Sequence, residues 1–292
     1  MVGSFIKYIQ FEKRYSPKTV ISYQSDLDQF SQFLLKTYDE PQPEVATFPM
    51  IRSWIVSLVE QQLDPSSVNR KIACLRSFYK YLLRQEMISK NPMVKVSVLK
   101  TQKRLPHFVK ETDVVNLLDT TVPENTHVAI RDRLILEFFY GTGMRLSELI
   151  GLKDTGINFR DSTVKVLGKR NKERIIPFPE SLGELISQYK TIRDKEVVKK
   201  EHGNLFVTDQ GNALYPMLIQ RMIKKSLKNS SVEKKSPHVL RHTYATHLLN
   251  KGAEINAVKD LLGHTSLAAT QVYTHNSIEK LKKVFDQAHP KA

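Results

Sequence analysis

Hydrophobic side chains recur at helical spacing through the first hundred residues. Val20, Ile21, Leu27, Phe30, Phe33 and Leu34 fall near a 3.6-residue period. So do Ile51, Trp54, Ile55, Leu58 and Val59, behind a Thr47 cap with Pro49 in the first turn. A third segment places Val68, Ile72, Leu75, Phe78, Tyr79, Leu82 and Leu83 on one face and Arg70, Lys71, Arg76, Lys80 and Arg84 on the other. An apolar face seated on a bundle with a basic face in solvent is the build of a helix laid against DNA. Ser89-Lys90-Asn91-Pro92 predicts where it stops. Residues 93–106 have no helical period and close on a basic cluster before Pro106, which predicts a linker.

Beyond the linker the pattern is mixed. Helices are predicted near 111–120, 126–140, 145–151, 180–200, 214–228, 237–250, 254–262, 266–274 and 277–287. Between them Thr163-Val-Lys-Val-Leu, a turn at Gly168-Lys-Arg-Asn-Lys and Glu173-Arg-Ile-Ile-Pro alternate as a β-hairpin. The expected organisation is a helical domain over 1–92, a basic linker over 93–106 and a mostly helical domain with a small antiparallel sheet over 107–292.

Composition narrows the partner. The net charge is +15, and it is local: residues 65–104 hold ten basic side chains and one acid, Glu86, whereas residues 1–64 hold six basic and eight acidic ones. A polyanion such as nucleic acid fits that patch better than a merely solvated face. Cys74 is the sole cysteine, which excludes an intramolecular disulfide and a cysteine-built zinc site. No apolar run is long enough to cross a membrane and the first residues lack a secretory pattern, so a cytoplasmic location is expected.

Four segments collect unusual polar groups. In Gly141-Thr-Gly-Met-Arg145-Leu-Ser-Glu148 an arginine follows a glycine-rich turn, and its planar fork suits phosphate oxygens. Glu148, one turn later, can orient it, although such a pair is also an ordinary surface ion pair. The basic hairpin tip offers Lys169, either solvated or aimed at a leaving oxygen. In Pro237-His238-Val-Leu-Arg241-His242, His238 and Arg241 share the N-terminal face of a helix, where anions are favoured. A metal on His238 and His242 is disfavoured by the guanidinium beside them. Last come Leu261-Leu-Gly263-His264 and, nine residues on, Tyr273; alone, each reads as a helix cap or plain packing. Together, two arginines, a lysine, two histidines and a tyrosine suit nucleophilic attack on a phosphodiester, with cationic side chains where a metal would stand.

These segments carry a resemblance. GTGMRLSELIGL, GKRNKERIIP, HVLRHTYATHLL and LLGHTSLAATQVYTH resemble, in order and spacing, the signature boxes of the tyrosine recombinases. The likeness covers nearly the whole chain and is greatest to the XerC/XerD site-specific recombinases. It implies a C-shaped DNA clamp in which Arg145, Lys169, His238, Arg241, His264 and Tyr273 are catalytic and Glu148 supports them. Tyr273 would form a 3′-phosphotyrosyl link, with no metal and no cofactor. It also implies double-stranded DNA carrying a recombination site as partner, a homo- or hetero-tetramer with a related recombinase, and a last helix, 277–287, docked on the neighbouring protomer, the alternative being a helix packed on its own domain. The septal DNA translocase FtsK is a further implied partner. The expected role is resolution of chromosome or plasmid dimers at cell division. The alternatives are a mobile-element integrase or excisionase, a type IB topoisomerase-like enzyme, and a non-catalytic DNA-binding protein. Two positions depart from the family pattern: Arg170 stands where the hairpin often has glycine, and Asp154-Thr-Gly-Ile-Asn replaces the usual approach to the first strand. DNA contacts are expected from Arg70, Lys71, Arg76, Lys80, Arg84, Lys103 and Arg104.

Overall fold

The computed structural model describes residues 1–101, 108–119, 126–168, 173–197, 203–263, 284–285 and 287–288. The chain divides into two compact units, Met1–Arg104 and Leu105–Ala292.

The first unit is helical. Helix α1 (Val2–Lys7) runs into a π-helical turn, Tyr8–Glu12, and is followed by α2 (Pro17–Tyr38), α3 (Phe48–Glu60) and α4 (Pro65–Arg84). Proline at the first helical position and a side-chain cap start α2 and α4: Ser16 accepts from the Thr19 N–H, and Asp64 from the Ser66 N–H at 2.8 Å. Helix α1 was not foreseen, yet Phe5 and Ile9 are fully buried against the ring of Phe78 and its neighbours. Helix α4 ends before the expected stop. Glu86 turns left-handed (φ 55°), and the Met87 N–H reaches back to the Leu82 carbonyl at 3.0 Å, which closes the helix at Arg84.

Two expectations for the faces of α4 are corrected. Lys71 is buried, not solvated: its ammonium donates to Asp26 at 2.9 Å and Gln29 at 2.6 Å. Leu83, expected on the apolar face, is exposed. The start of the expected linker is not free chain either. Met93 and Val96 join this unit's core, Asn69 brackets the Leu99 backbone, and Arg76 donates to the Val96 carbonyl at 2.5 Å.

The second unit centres on α6 (His127–Thr142), a helix buried nearly all round. It follows α5 (Glu111–Asp119) and packs against α8 (Glu180–Glu196) and α10 (Pro237–Asn250). Around it stand α7 (Leu146–Ile150), α9 (Pro216–Ser226) and α11 (Ile255–Leu262). The hairpin forms as expected: β2 (Thr163–Leu167) pairs antiparallel with β3 (Glu173–Pro177) in the register Val164↔Ile176 and Val166↔Arg174. A two-residue strand, β1 (Ile157–Asn158), adds to β2 after a 3-10 turn at Asp154–Gly156.

Val109 fastens the start of this unit. Its side chain is fully buried, its N–H donates to Thr243 Oγ1 at 2.9 Å, and its carbonyl accepts from His247 Nε2 at 3.0 Å. The other ring nitrogen of His247 therefore accepts from the Tyr140 hydroxyl at 3.1 Å. At the far end of the chain, Phe285 and Ala288 bury against Tyr244, Leu248 and Leu261. These two side chains sit on their own unit; residues 277–283 and 286 of the expected last helix lie outside the described residues. No helix among the described residues is long and apolar enough to cross a membrane.

Candidate active site

Gly143 opens the site. It ends α6 in the left-handed region (φ 58°), and a Cβ there would come within 2.4 Å of the Tyr244 ring, so only glycine fits. The turn sets Arg145 as the N-cap of α7, with Glu148 at the third helical position. Glu148 reaches back to accept from the Arg145 backbone N–H at 2.7 Å and from Arg145 Nη1 at 2.8 Å. The same carboxylate is gripped from the other side by Arg174 of β3, Nη1 to Oε1 at 2.5 Å and Nη2 to Oε2 at 2.8 Å. Burial works to raise the Glu148 pKa. The hydrogen bond and charge of Arg174, then the two bonds from Arg145, overcome it and hold the carboxyl at about 2.

Arg241 comes from the first turns of α10 and is nearly buried. It donates from Nη1 to the Gly143 carbonyl and from Nη2 to the Leu262 carbonyl, both at 2.6 Å. Burial and the nearby charges of Arg145 and Arg174 lower its pKa to about 10, so it stays cationic at neutral pH. Arg145 Nη2 donates to the Gly263 carbonyl at 3.0 Å, and Arg174 Nε to the Leu261 carbonyl at 3.3 Å. Three guanidinium groups thus converge on three successive carbonyls at the C-terminal end of α11, where the helix dipole is negative and carbonyls otherwise lack partners. Among the described residues one carboxylate, Glu148, stands against these three cations. The cluster therefore has a positive surplus, suited to an anion with several oxygens.

The structure brings together Arg145, Glu148 and Arg241. His238 stands exposed in the first turn of α10. Lys169, His264 and Tyr273 lie outside the described residues, as do Lys103 and Arg104 and the helix expected near 266–274. In sequence, His264 directly follows Gly263. In the first unit, Arg70, Arg76, Lys80 and Arg84 are exposed. Arg70 also pairs with Asp26, and Arg84 lies over the Tyr8 ring at 4.9 Å.

Known proteins share this architecture from end to end. The model of the phage integrase family matches residues 107–280, and that of the phage integrase N-terminal SAM-like domain matches residues 2–86. Tyrosine recombinase XerC of Chlorobaculum parvum is 36% identical over 314 residues, covering 99% of this chain and 94% of that protein. The chain belongs to the phage integrase family, the tyrosine recombinases. Another relative, tyrosine recombinase XerC of Listeria monocytogenes, is 38% identical over 291 residues, covering 99% of this chain and 97% of its own. Among solved structures, the XerH site-specific recombinase bound to palindromic difH substrate shares the fold with a TM-score of 0.73 at 20% identity, over 97% of this chain and 83% of that one.

One residue of this tyrosine recombinase's cluster escaped the sequence reading. Arg174 lies in a hairpin strand whose period of two puts it on the same face as the fully buried Ile176. A cation on the inward face of a strand was the available signal, since a charge is buried there only with a partner.

Proposed function

We propose that the chain is a site-specific recombinase that cuts and rejoins double-stranded DNA through a 3′-phosphotyrosyl intermediate, and that it resolves chromosome or plasmid dimers at cell division. The observation that carries the reading is the cluster of the partly buried Arg145 with the buried Arg174 and Arg241 beside the carboxylate of Glu148. In this scheme Arg145 and Arg241 exchange backbone carbonyls for the nonbridging oxygens of the scissile phosphate and stabilise the charge that builds there. The Tyr273 hydroxyl gives up its proton to water as its oxygen attacks phosphorus and the P–O5′ bond breaks. Lys169 gives a proton to the departing 5′ oxygen, and the phosphate stays on Tyr273 by its 3′ ester. A 5′-hydroxyl of the exchanged strand then attacks that ester and frees Tyr273, so phosphodiester energy is conserved and no nucleotide cofactor is consumed. His238 and His264 complete the phosphate pocket, and Glu148 keeps Arg145 in place.

Along the first unit, Arg70, Lys80 and Arg84, followed in sequence by Lys103 and Arg104, serve the DNA backbone, while Lys71 and Arg76 hold the unit's own polar groups. The active assembly is a tetramer of this chain, alone or with a related recombinase, on two duplexes in the cytoplasm. Full-length similarity to proteins named XerC supports the dimer-resolution role over integration. The test is a duplex nicked near its recombination site, incubated with wild type and Tyr273→Phe and run on a denaturing gel. Wild type should give a covalent protein–DNA band and the variant none, with half-site binding retained. A band from Tyr273→Phe overturns the assignment of the nucleophile.

A further inference from the structure

The proposed chemistry gives no role to Arg174, although it is the most deeply placed cation of the cluster. It is 5% exposed and grips both oxygens of Glu148. Its Nε reaches Leu261, and its Cδ lies against Gly263, where an added Cβ would come within 2.9 Å. One guanidinium thus joins the strand that carries it, the cap of α7 and the last turn of α11. Glu148 in turn holds both the guanidinium and the backbone N–H of Arg145. The two ends of this tie are the base of Arg145 and the residue that precedes His264.

We propose that Arg174 is a positioning residue for strand cleavage, acting on the reaction only through Glu148 and the end of α11. This rests on the functional reading above, in which Arg145 meets the phosphate and Tyr273 attacks it. The fork is what the site requires. A lysine would keep the charge but cannot span two carboxylate oxygens and a carbonyl at once. If Arg174 only neutralises Glu148, Arg174→Lys should behave as wild type.

Single-turnover formation of the covalent complex on nicked duplex separates the two roles, using full-length wild type, Arg174→Lys, Glu148→Gln and the double variant. The rate of Arg174→Lys at saturating DNA should fall by about 10²-fold, the scale set by a misplacement of ~1 Å. Its half-saturating DNA concentration should stay at the wild-type value. The loss in the double variant should be smaller than the sum of the two single losses, because the two residues share one set of contacts. Wild-type cleavage by Arg174→Lys, a raised half-saturating concentration that accounts for the loss, or additive losses in the double variant would each overturn the proposal. If Arg174→Lys does not fold, Glu148→Asp loosens the same grip from the other side and must show the same split; normal cleavage by it overturns the proposal. Hydrogen exchange supplies a readout independent of cleavage. Amides in the last turn of α11 should lose protection in Arg174→Lys while those of α9 keep theirs. Unchanged exchange in α11 overturns the tie. A wild-type protein that forms no covalent complex would instead overturn the functional reading, and exchange would still decide on Arg174.

Discussion

Replacing Glu148 by glutamine removes the carboxylate that Arg145 and Arg174 share, and its cost follows from the geometry. The carboxyl sits at about 2 in the folded protein and near the ordinary value of about 4.3 in the unfolded chain. That difference favours the folded state by about 3 kcal/mol at neutral pH. It agrees with the ~3–5 kcal/mol expected when one partner of a buried ion pair is taken away. The sign is that of a depressed carboxyl. The contribution is complete above the unfolded value and is lost as pH falls from about 4.3 toward about 2. Glutamine has no such titration, so the gap between wild type and variant should narrow through that window. For a unit of this size, 3 kcal/mol corresponds to a drop in melting temperature of about 6–12 °C. The assay is denaturant unfolding at pH 7 and at pH 3, followed by far-ultraviolet circular dichroism. Trp54, the sole tryptophan, lies in the first unit and supplies an internal control, because its fluorescence transition should not move. A loss below about 1 kcal/mol at pH 7, or one that persists undiminished at pH 3, would refute the reasoning that the carboxylate is held by charge.

Further outcomes follow from neighbouring features. Gly143→Ala must place a Cβ against the Tyr244 ring in a left-handed turn; it should cost upwards of ~2 kcal/mol by overpacking and strain, read from the same unfolding curves. Lys80→Ala with Arg84→Ala should make the slope of log K against log salt shallower by up to about 1.8 in a half-site binding titration. Lys71→Ala should lower the Trp54-detected stability instead, because it strips the buried Asp26 of a partner. Covalent capture of nicked DNA should survive chelation by EDTA; a loss restored by one divalent ion would contradict catalysis by side-chain cations.

Elements set by local pattern were legible in the sequence. The hairpin, the start of α10 at Pro237 and the pairing of Arg145 with Glu148 all depend on residues within a few positions of one another. Partners brought together by the fold were not. Arg174 and Glu148 are 26 residues apart, and Lys71 and Asp26 are 45 apart; no periodicity encodes such pairings. Each left a trace all the same. Asp26 lies one turn from Phe30 on the apolar stripe of α2, just as Arg174 shares a face with Ile176. A charge in line with core residues marks a buried pair, even when its partner cannot be named. The early end of α4 was hidden for another reason: it turns on Glu86 adopting a left-handed conformation that glycine or asparagine would have advertised.

The fastening of Val109 bears on where this polypeptide can be spliced to a relative's. Its N–H and carbonyl are both claimed by α10, through Thr243 and His247, and the same helix carries Arg241 two residues before Thr243. A chimera whose crossover falls after Val109 would bring a foreign backbone to those two side chains while keeping the native helix. One whose crossover falls between 102 and 107 transfers Val109, Thr243 and His247 as a single heritable block. Exchange of the first unit between recombinases therefore belongs at that short stretch, with the cassette boundary ahead of Val109 even though the first regular element of the second unit begins only at Glu111.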